Sequence, residues 1–583
     1  MRYVILSILA VNLCYSQITV RNSNYIFADD LVLYSEDYVN LQDANSYMYL
    51  RNESQLIQGS GTTANSGSGY LSCYQDGTSN EYIYNYWCSP VENPDMSVTG
   101  FVPEVNLYDV TGLITSNIAS FTMGFDGSSS PLVVSERWLY MYTPGTQYSD
   151  WDFVGKDGTV PPGYGFTMKG TSGSGNNQLY DFRGQPNSGN LFTSVLNGHE
   201  TLVGNPYPSA LDARDFIHDV TNSSLLDSGT LYFWEQDITV ASHVLEDYRG
   251  GYATYTISSD GAVQSFVPAT FDSYNSDGSF NSGGSTSTSG KRVYRYIPIG
   301  QGFMVRGAAS GSIRTTNSMR DYYRESDPDS EFFRSPNIVG APGSIIYNEN
   351  GFQIVPGDYK RFRINIDFNN TYTRQLLLNF HHTATDGKDY GLESRSSTTL
   401  NSDAFLIQDD EPYNTQAFNF DETMSIPVTV TLDYDQSVRF RIFDIQNFEA
   451  SQPIYIHDIL SDLYIDLRTQ HYDINLEAGT YSDRFEIVFS NAALSIDDET
   501  LKSNFKVVHI GSSSTLKLLN PDYLKVKTIA IYDITGKSVT HIVNPELNSE
   551  YEVNSQSLST GTYIVNVTFD DGVSDLSQKV IIN

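Results

Sequence analysis

Phe362-Arg363-Ile364-Asn365-Ile366-Asp367-Phe368 sets an apolar side chain at every second position and a polar one between. Successive side chains of a strand point to opposite faces, so this spacing predicts a half-buried strand of an antiparallel sheet. The same period returns at residues 426–432, with Val428 and Val430 on one face and Thr429 and Thr431 on the other, and again at 485–489 and 563–569. Composition agrees. The 583 residues include 42 Tyr and 30 Phe among many Gly, Ser, Thr and Asn, while helix formers are scarce. The expectation is an all-β protein: several antiparallel β-sandwich-like domains in series, with few short helices. One helical stripe stands out at 209–220, where apolar residues fall at 213, 216, 217 and 220 behind Ser209, a residue suited to cap the first turn.

The charge balance of 34 Lys+Arg against 69 Asp+Glu, net −35, repels phosphate backbones and argues against nucleic-acid binding. Charged residues make up only 18% and aromatics 13%, which separates the chain from acidic disordered proteins. Met1-Arg2, the apolar run from Val4 to Val11 and small residues near Ser16 have the order of a secretory signal peptide over residues 1–16. No later segment offers about 18 uninterrupted apolar residues, so no transmembrane segment is expected.

Gly/Ser/Thr/Asn stretches at 59–69, 170–177 and 276–290 read as exposed or mobile seams. Acidic breaks at 325–331 and 495–499 divide the chain further. The expected domains are an N-terminal β region at 17–200, a central β region at 201–325 carrying the short helix, a β-sandwich at 332–490, a linker at 491–503 and a terminal domain at 504–583. The last holds six Lys, no Arg and eight acids, so the acidity resides mainly in the body.

That terminal segment carries Tyr532-Asp533-Ile534-Thr535-Gly536-Lys537, then Leu558-Ser559-Thr560-Gly561-Thr562-Tyr563, then a final strand bearing Lys579. Asp533 and Gly536 suit a tight turn, and Gly561 a strand start with unusual dihedrals. These blocks resemble the type A C-terminal sorting domain of the Bacteroidetes type IX secretion system, although Val507 to Ser512 stands where that family commonly opens with a Tyr-Pro-Asn-Pro-like motif. The resemblance implies a small Ig-like sandwich recognised by the type IX secretion machinery, with the passenger released outside the cell or attached to surface lipopolysaccharide. Phrases such as Gly204-Asn205-Pro206-Tyr207-Pro208-Ser209 and Pro298-Ile299-Gly300-Gln301-Gly302-Phe303 also resemble the bodies of long flavobacterial surface proteins that carry this terminus. The resemblance supplies an address, secreted or at the outer-membrane surface, and no reaction.

Chemical motifs are scarce. His199-Glu200 lacks the second His of a zinc-protease helix, and His381-His382 adjacent in a strand point to opposite faces. Gly536-Lys537-Ser538 lacks the upstream Gly of a phosphate loop, and no Gly-x-Ser-x-Gly elbow occurs. Asp327, Asp329 and Glu331 are interrupted by Pro328 and form no EF-hand. No catalytic residue, cofactor or metal is expected. Cys73 and Cys88, the cysteines beyond the signal segment, either form a disulfide between strands joined at Asp76-Gly77 or stay as two buried thiols. Trp87, Trp138, Trp151 and Trp234, with Tyr82, Tyr84, Tyr86 and Tyr142, are either stacking platforms for sugar rings or core fillers. Two functions stay open: a non-catalytic surface protein with an adhesion, glycan-binding or matrix role, and a secreted glycan-active hydrolase whose carboxylate pair is hidden as a motif. Acid runs such as Asp409-Asp410-Glu411 are consistent with either.

Overall fold

A computed structural model describes residues 17–95, 98–173, 175, 177–276, 278–287, 290–326, 346–397, 399–490, 504–510, 514–569 and 576–582. The signal segment, the linker at 491–503 and most of the 325–331 break lie outside the described residues. The chain divides into two compact units, one ending at Phe489 and one beginning at Ser490. Both are built of strands, as the alternation predicts.

The first strands are parallel. Ile18–Val20, Val39–Leu41 and Ser66–Gly67 stack as one sheet, Tyr25–Asp29, Tyr47–Arg51 and Tyr70–Thr78 as a second, and Val32–Ser35 on Gln55–Gln58 as a third. Ile18 pairs with Val39, Tyr25 with Tyr47 and Val32 with Gln55, so the first circuit of this coil takes 21 to 23 residues. Its corners need left-handed backbone, supplied by Asn22, Asp30 and Asn52 at φ of 60°, 58° and 52°. Val20, Ala28, Leu41, Met48, Leu50, Leu56 and Leu71 fill the interior. A parallel coil and an antiparallel sheet share the period of two, so alternation alone does not separate them.

Tyr70–Thr78 then pairs antiparallel with Asn177–Pro186 and links the coil to the rest. Cys73 lies on that strand, whereas Cys88 follows Tyr84–Trp87, which pairs with Phe166–Lys169 in a different sheet. Both thiols are buried and free. The disulfide expectation is therefore corrected: the two strands are not neighbours. Burial pushes the Cys73 thiol up to about 12 and raises that of Cys88 as well, which keeps both unreactive.

A seven-stranded sheet follows, ordered Glu200–Gly204, Gly302–Gly307, Leu226–Gln236, Arg249–Ile257, Thr270–Tyr274 and Phe280–Thr286, with Gln264–Val267 also on Arg249–Ile257. Phe280–Thr286 falls in the Gly/Ser stretch read as a loose seam. Backbone bonds to Thr270–Tyr274 make it a strand, since a ladder asks nothing of side chains. The helix near 209–220 is shorter than its stripe and splits into Ala213–Ile217 and Val220–Ser223. Asp212, rather than Ser209, caps the first by accepting from Arg214 N (2.9 Å), and Asp219 caps the second. Ser209 instead accepts from Arg320 Nε at 3.1 Å.

Lys360–Phe368 belongs to an eleven-stranded sheet that folds over its own core. The expected half-burial does not hold for this strand. Phe362, Ile364, Ile366 and Phe368 face that core, while Arg361 and Arg363, 0% and 1% exposed, are buried on the other face. The second face lies against the central sheet. Arg361 donates to Asn379 Oδ1 (2.7 Å) and Gln264 O (3.0 Å), and Arg363 to Phe266 O (2.7 Å) and Gln375 Oε1 (2.8 Å). The Arg363 guanidinium also lies 3.9 Å from the centre of the Phe352 ring. Burial lowers both arginine pKa values, that of Arg361 to about 10, yet the guanidinium stays charged at neutral pH.

The terminal unit packs a three-stranded sheet (Lys506–Ile510, Thr515–Leu519, Glu550–Asn554) and a four-stranded one (Ser538–Val543, Val526–Asp533, Gly561–Phe569, Leu576–Ile582) around one core. Asp533 accepts from Thr535 N (2.8 Å) and Lys537 N (3.1 Å), and Gly536 takes φ 84°, so the Tyr-Asp-x-x-Gly-Lys block is a side-chain-closed turn. Tyr563 is buried and donates to Ser559 O (2.9 Å). Lys579 sits opposite Ile564 on the last strand. Gly561 departs from expectation: it is an ordinary strand residue opposite Ile582, outside the positive-φ set, and a Cβ there would meet only Ser559 O at 3.8 Å.

Arg363→Met leaves Phe266 O and Gln375 Oε1 without their charged donor, and we expect a loss of about 3 kcal/mol. Guanidinium chloride unfolding of the full chain checks this: the body transition moves to lower denaturant, and an unmoved or raised midpoint contradicts the role given to Arg363.

Candidate binding cleft

In Tyr84–Trp87 alternate residues separate two environments. Tyr84 and Tyr86 point into a cleft, while Trp87, 0% exposed, turns into the core against Tyr180 and Phe182. Trp87 is thereby removed from the expected stacking set. Trp138, Trp151 and Trp234 come from three separate segments and all line the cleft, whose volume is about 1170 Å³. Tyr82 stays outside the lining and packs on His243.

The floor is a continuous aromatic cluster. Trp234 stacks on Tyr86 with ring centres 6.0 Å apart and planes 11° apart, and Tyr252 meets Trp234 edge-on at 5.2 Å. Trp151 packs on Tyr142 at 4.8 Å and on Tyr86 at 5.9 Å. The Tyr86 and Tyr252 hydroxyls share a hydrogen bond of 2.9 Å. The Trp234 Nε1 donor is buried and has no hydrogen-bond partner among the described residues. Tyr140, Tyr148 and Tyr274 extend the ring-lined wall.

Beneath Trp138 lies a buried cation. Lys169, 3% exposed, comes from the inner strand Phe166–Lys169, its Nζ 3.9 Å from the centre of the Trp138 ring and also over Tyr84 and Tyr248. It donates to the Tyr248 hydroxyl and meets His243 Nδ1 at 3.0 Å, and His243 Nε2 in turn meets Asp126 at 2.6 Å. Burial pulls the ammonium down to about 7, with Asp126 acting against it.

One end of the cleft is charged. Glu200 and Arg306 pair across adjacent strands at 4.0 Å, and Arg395 and Glu411, bonded to each other, close over them from the eleven-stranded sheet. Behind them the buried Asp227 is held by Lys388 and by Arg395 at 3.3 Å. Burial raises the Glu200 carboxyl, and Arg306 and Arg395 pull it back. Asp272 also lines the cleft. No motif marked these groups: Glu200 drew attention only as part of a zinc pattern, and Glu411 only as part of an acid run. Two further acid pairs, Asp497-Asp498 and Asp570-Asp571, lie outside the described residues.

His381 and His382 sit just past the end of Tyr372–Phe380, in a turn, with ring centres 4.0 Å apart. The expectation of opposite faces is corrected, because pleat alternation stops where the strand stops. Among the described residues no group of three His, Cys, Asp or Glu is placed to hold a metal ion, and no helix is long and apolar enough to cross a membrane.

The molecule is thus an all-β body with an aromatic cleft, followed by a separate two-sheet terminal unit. Residues 511–583 match the secretion system C-terminal sorting domain, so the chain is exported by the type IX system typical of Bacteroidetes and is secreted or held at the cell surface. Residues 5–489 match a family described as a domain of unknown function (DUF8693), and the chain belongs to that family. No curated protein matches. Among solved structures, a biofilm associated protein (BSP domain) is 7% identical over 87% of this chain and 98% of its own, at a TM-score of 0.12 that carries no structural argument.

The Lys169 shift has a defined consequence for stability. Its folded pKa is depressed from 10.5 to about 7, so above pH 7 the unfolded chain binds the extra proton and stability rises with pH. Between pH 7 and 9 this contributes about 2 kcal/mol. Denaturant melts at both pH values should show the native protein gaining about 2 kcal/mol relative to Lys169→Met on going from pH 7 to 9, the buried thiols contributing equally to both proteins; an unchanged difference contradicts the assignment.

Proposed function

We propose that this exported protein binds saccharide chains in the aromatic cleft, without acting on them, and so serves adhesion or matrix contact at the cell surface. The observation that carries this reading is the convergence of Trp138, Trp151 and Trp234 with a run of tyrosines along one cavity. The C–H faces of sugar rings stack on such surfaces, and hydroxyls of the lining tyrosines supply the sparse polar contacts that fix orientation. At about 1170 Å³ the cleft exceeds the usual range for a small ligand, about 300–1,000 Å³, and suits several linked rings. Release into the medium and attachment to surface lipopolysaccharide are both compatible with this role.

The hydrolase reading keeps one observation in its favour: the Glu200 carboxyl, raised by burial, lies in the cleft with Asp272 and Glu411, and a general acid needs such a shift. One experiment separates the two. The purified full-length chain is applied to an array of oligosaccharides and, in parallel, incubated with those it retains. We expect retention that falls at least tenfold in Trp151→Ala and in Trp138→Ala, with the oligosaccharides recovered intact. Retention unchanged in both variants defeats the cleft as the binding site. Cleavage that is lost in Glu200→Gln establishes the hydrolase instead.

A further inference from the structure

We infer that the charged end of the cleft selects saccharides bearing an acidic substituent, a carboxylate or a sulfate ester, which pairs with the Arg306 guanidinium while its ring stacks on the adjacent aromatic floor. The inference rests on the saccharide reading and specifies its ligand class.

Among the described residues, the Arg306 guanidinium finds no hydrogen-bond acceptor. Arg306 lines the cleft, and its side chain is 24% exposed. Its nearest carboxylates, Asp227 at 3.9 Å and Glu200 at 4.0 Å, lie beyond hydrogen-bond distance. Its neighbours are committed. Arg395 binds both Asp227 and Glu411, and Lys388 binds Asp227. Asp227 is thus already bonded by two other cations, and Arg306 faces Asp227 and Glu200 without bonding either. A planar guanidinium with parallel N–H pairs matches a two-oxygen acceptor better than it matches scattered hydroxyls.

Space is also left for the ligand group. Gly198 lines the cleft beside Arg306 in a left-handed conformation, φ 76°, and a Cβ there would lie 3.9 Å from Nη2. A side chain at Gly198 would stand against Nη2, and the glycine leaves that space free. Glu200 and Arg306 line the same cavity as Tyr86, Tyr142 and Tyr252, the rings that would carry the sugar. The net charge of −35 opposes a polyanion at long range, but salt screens it beyond about 8 Å, so a local cation decides the contact.

The test uses the full-length chain and Arg306→Gln on an array of neutral, uronate-bearing and sulfated oligosaccharides at about 0.15 M salt. The expected result is retention concentrated on acidic ligands, reduced at least tenfold in Arg306→Gln and partly restored in Arg306→Lys. The uronate and sulfate arms identify which acid is preferred. Retention of neutral ligands equal to that of acidic ones, or an acidic preference that survives Arg306→Gln, overturns the inference and leaves the cleft a neutral-sugar site if Trp151→Ala still abolishes binding. No retention on any arm overturns the saccharide reading and this inference with it. Matching circular dichroism and thermal midpoints in the native chain and both variants show that a lost signal is not a lost fold.

Discussion

Two guanidinium groups buried between sheets organise the body. Arg361 and Arg363 occupy the polar face of Lys360–Phe368; Arg361 Nε and Nη2 and Arg363 Nη1 donate to carbonyls and amides of the central sheet and of their own, while Arg361 Nη1 and Arg363 Nε find no partner among the described residues. A charge taken out of water costs several kcal/mol unless its hydrogen bonds are made, so these two side chains demand that the second sheet be in place. Nearby contacts add to the join: Thr270 donates to Thr373 O at 2.9 Å, and Asn379 to Ser265 at 2.9 Å. The chain up to Phe489 accordingly forms one compact unit.

That join positions the cleft. Arg395 and Glu411 belong to the eleven-stranded sheet, yet they face Glu200 and Arg306 of the central sheet and Trp151 and Tyr142 of the N-terminal region. Three stretches distant in sequence build one site, and its charged end exists only because the sheets are docked. The aromatic floor needs the same docking in smaller measure. Tyr86 belongs to the four-stranded sheet and Trp234 and Tyr252 to the central one, and the three rings lie against each other. The sorting unit has a core of its own.

What the sequence made legible follows from what each residue needs. Period-two alternation identifies strands because burial is decided residue by residue, and so the all-β architecture was readable from residues 362–368 onward. Alternation is silent about direction, which hid the parallel coil, and about what covers the polar face, which hid the burial of Arg361 and Arg363. Composition misled at 276–290, where backbone ladders do not depend on side chains. The sorting unit was legible through the family resemblance of its sequence blocks, and the turn at Asp533 and Gly536 because those two residues act locally. Trp138, Trp151 and Trp234 were singled out together with Trp87, and only the pleat phase at Tyr86-Trp87 separates a ring in the cleft from a ring in the core. Glu200, Arg306 and Arg395 could not be grouped from sequence, since they meet only through the docking of sheets.

The central claim is that the ring-lined cleft is the ligand site, and the four tryptophans make it directly measurable. Full-length protein labelled with 5-fluorotryptophan has one fluorine signal for each. On titration with a retained oligosaccharide, the account predicts that the signals of Trp138, Trp151 and Trp234 shift or broaden while that of Trp87, sealed in the core, stays in place as an internal control. Binding that leaves the three cleft signals unmoved would contradict it.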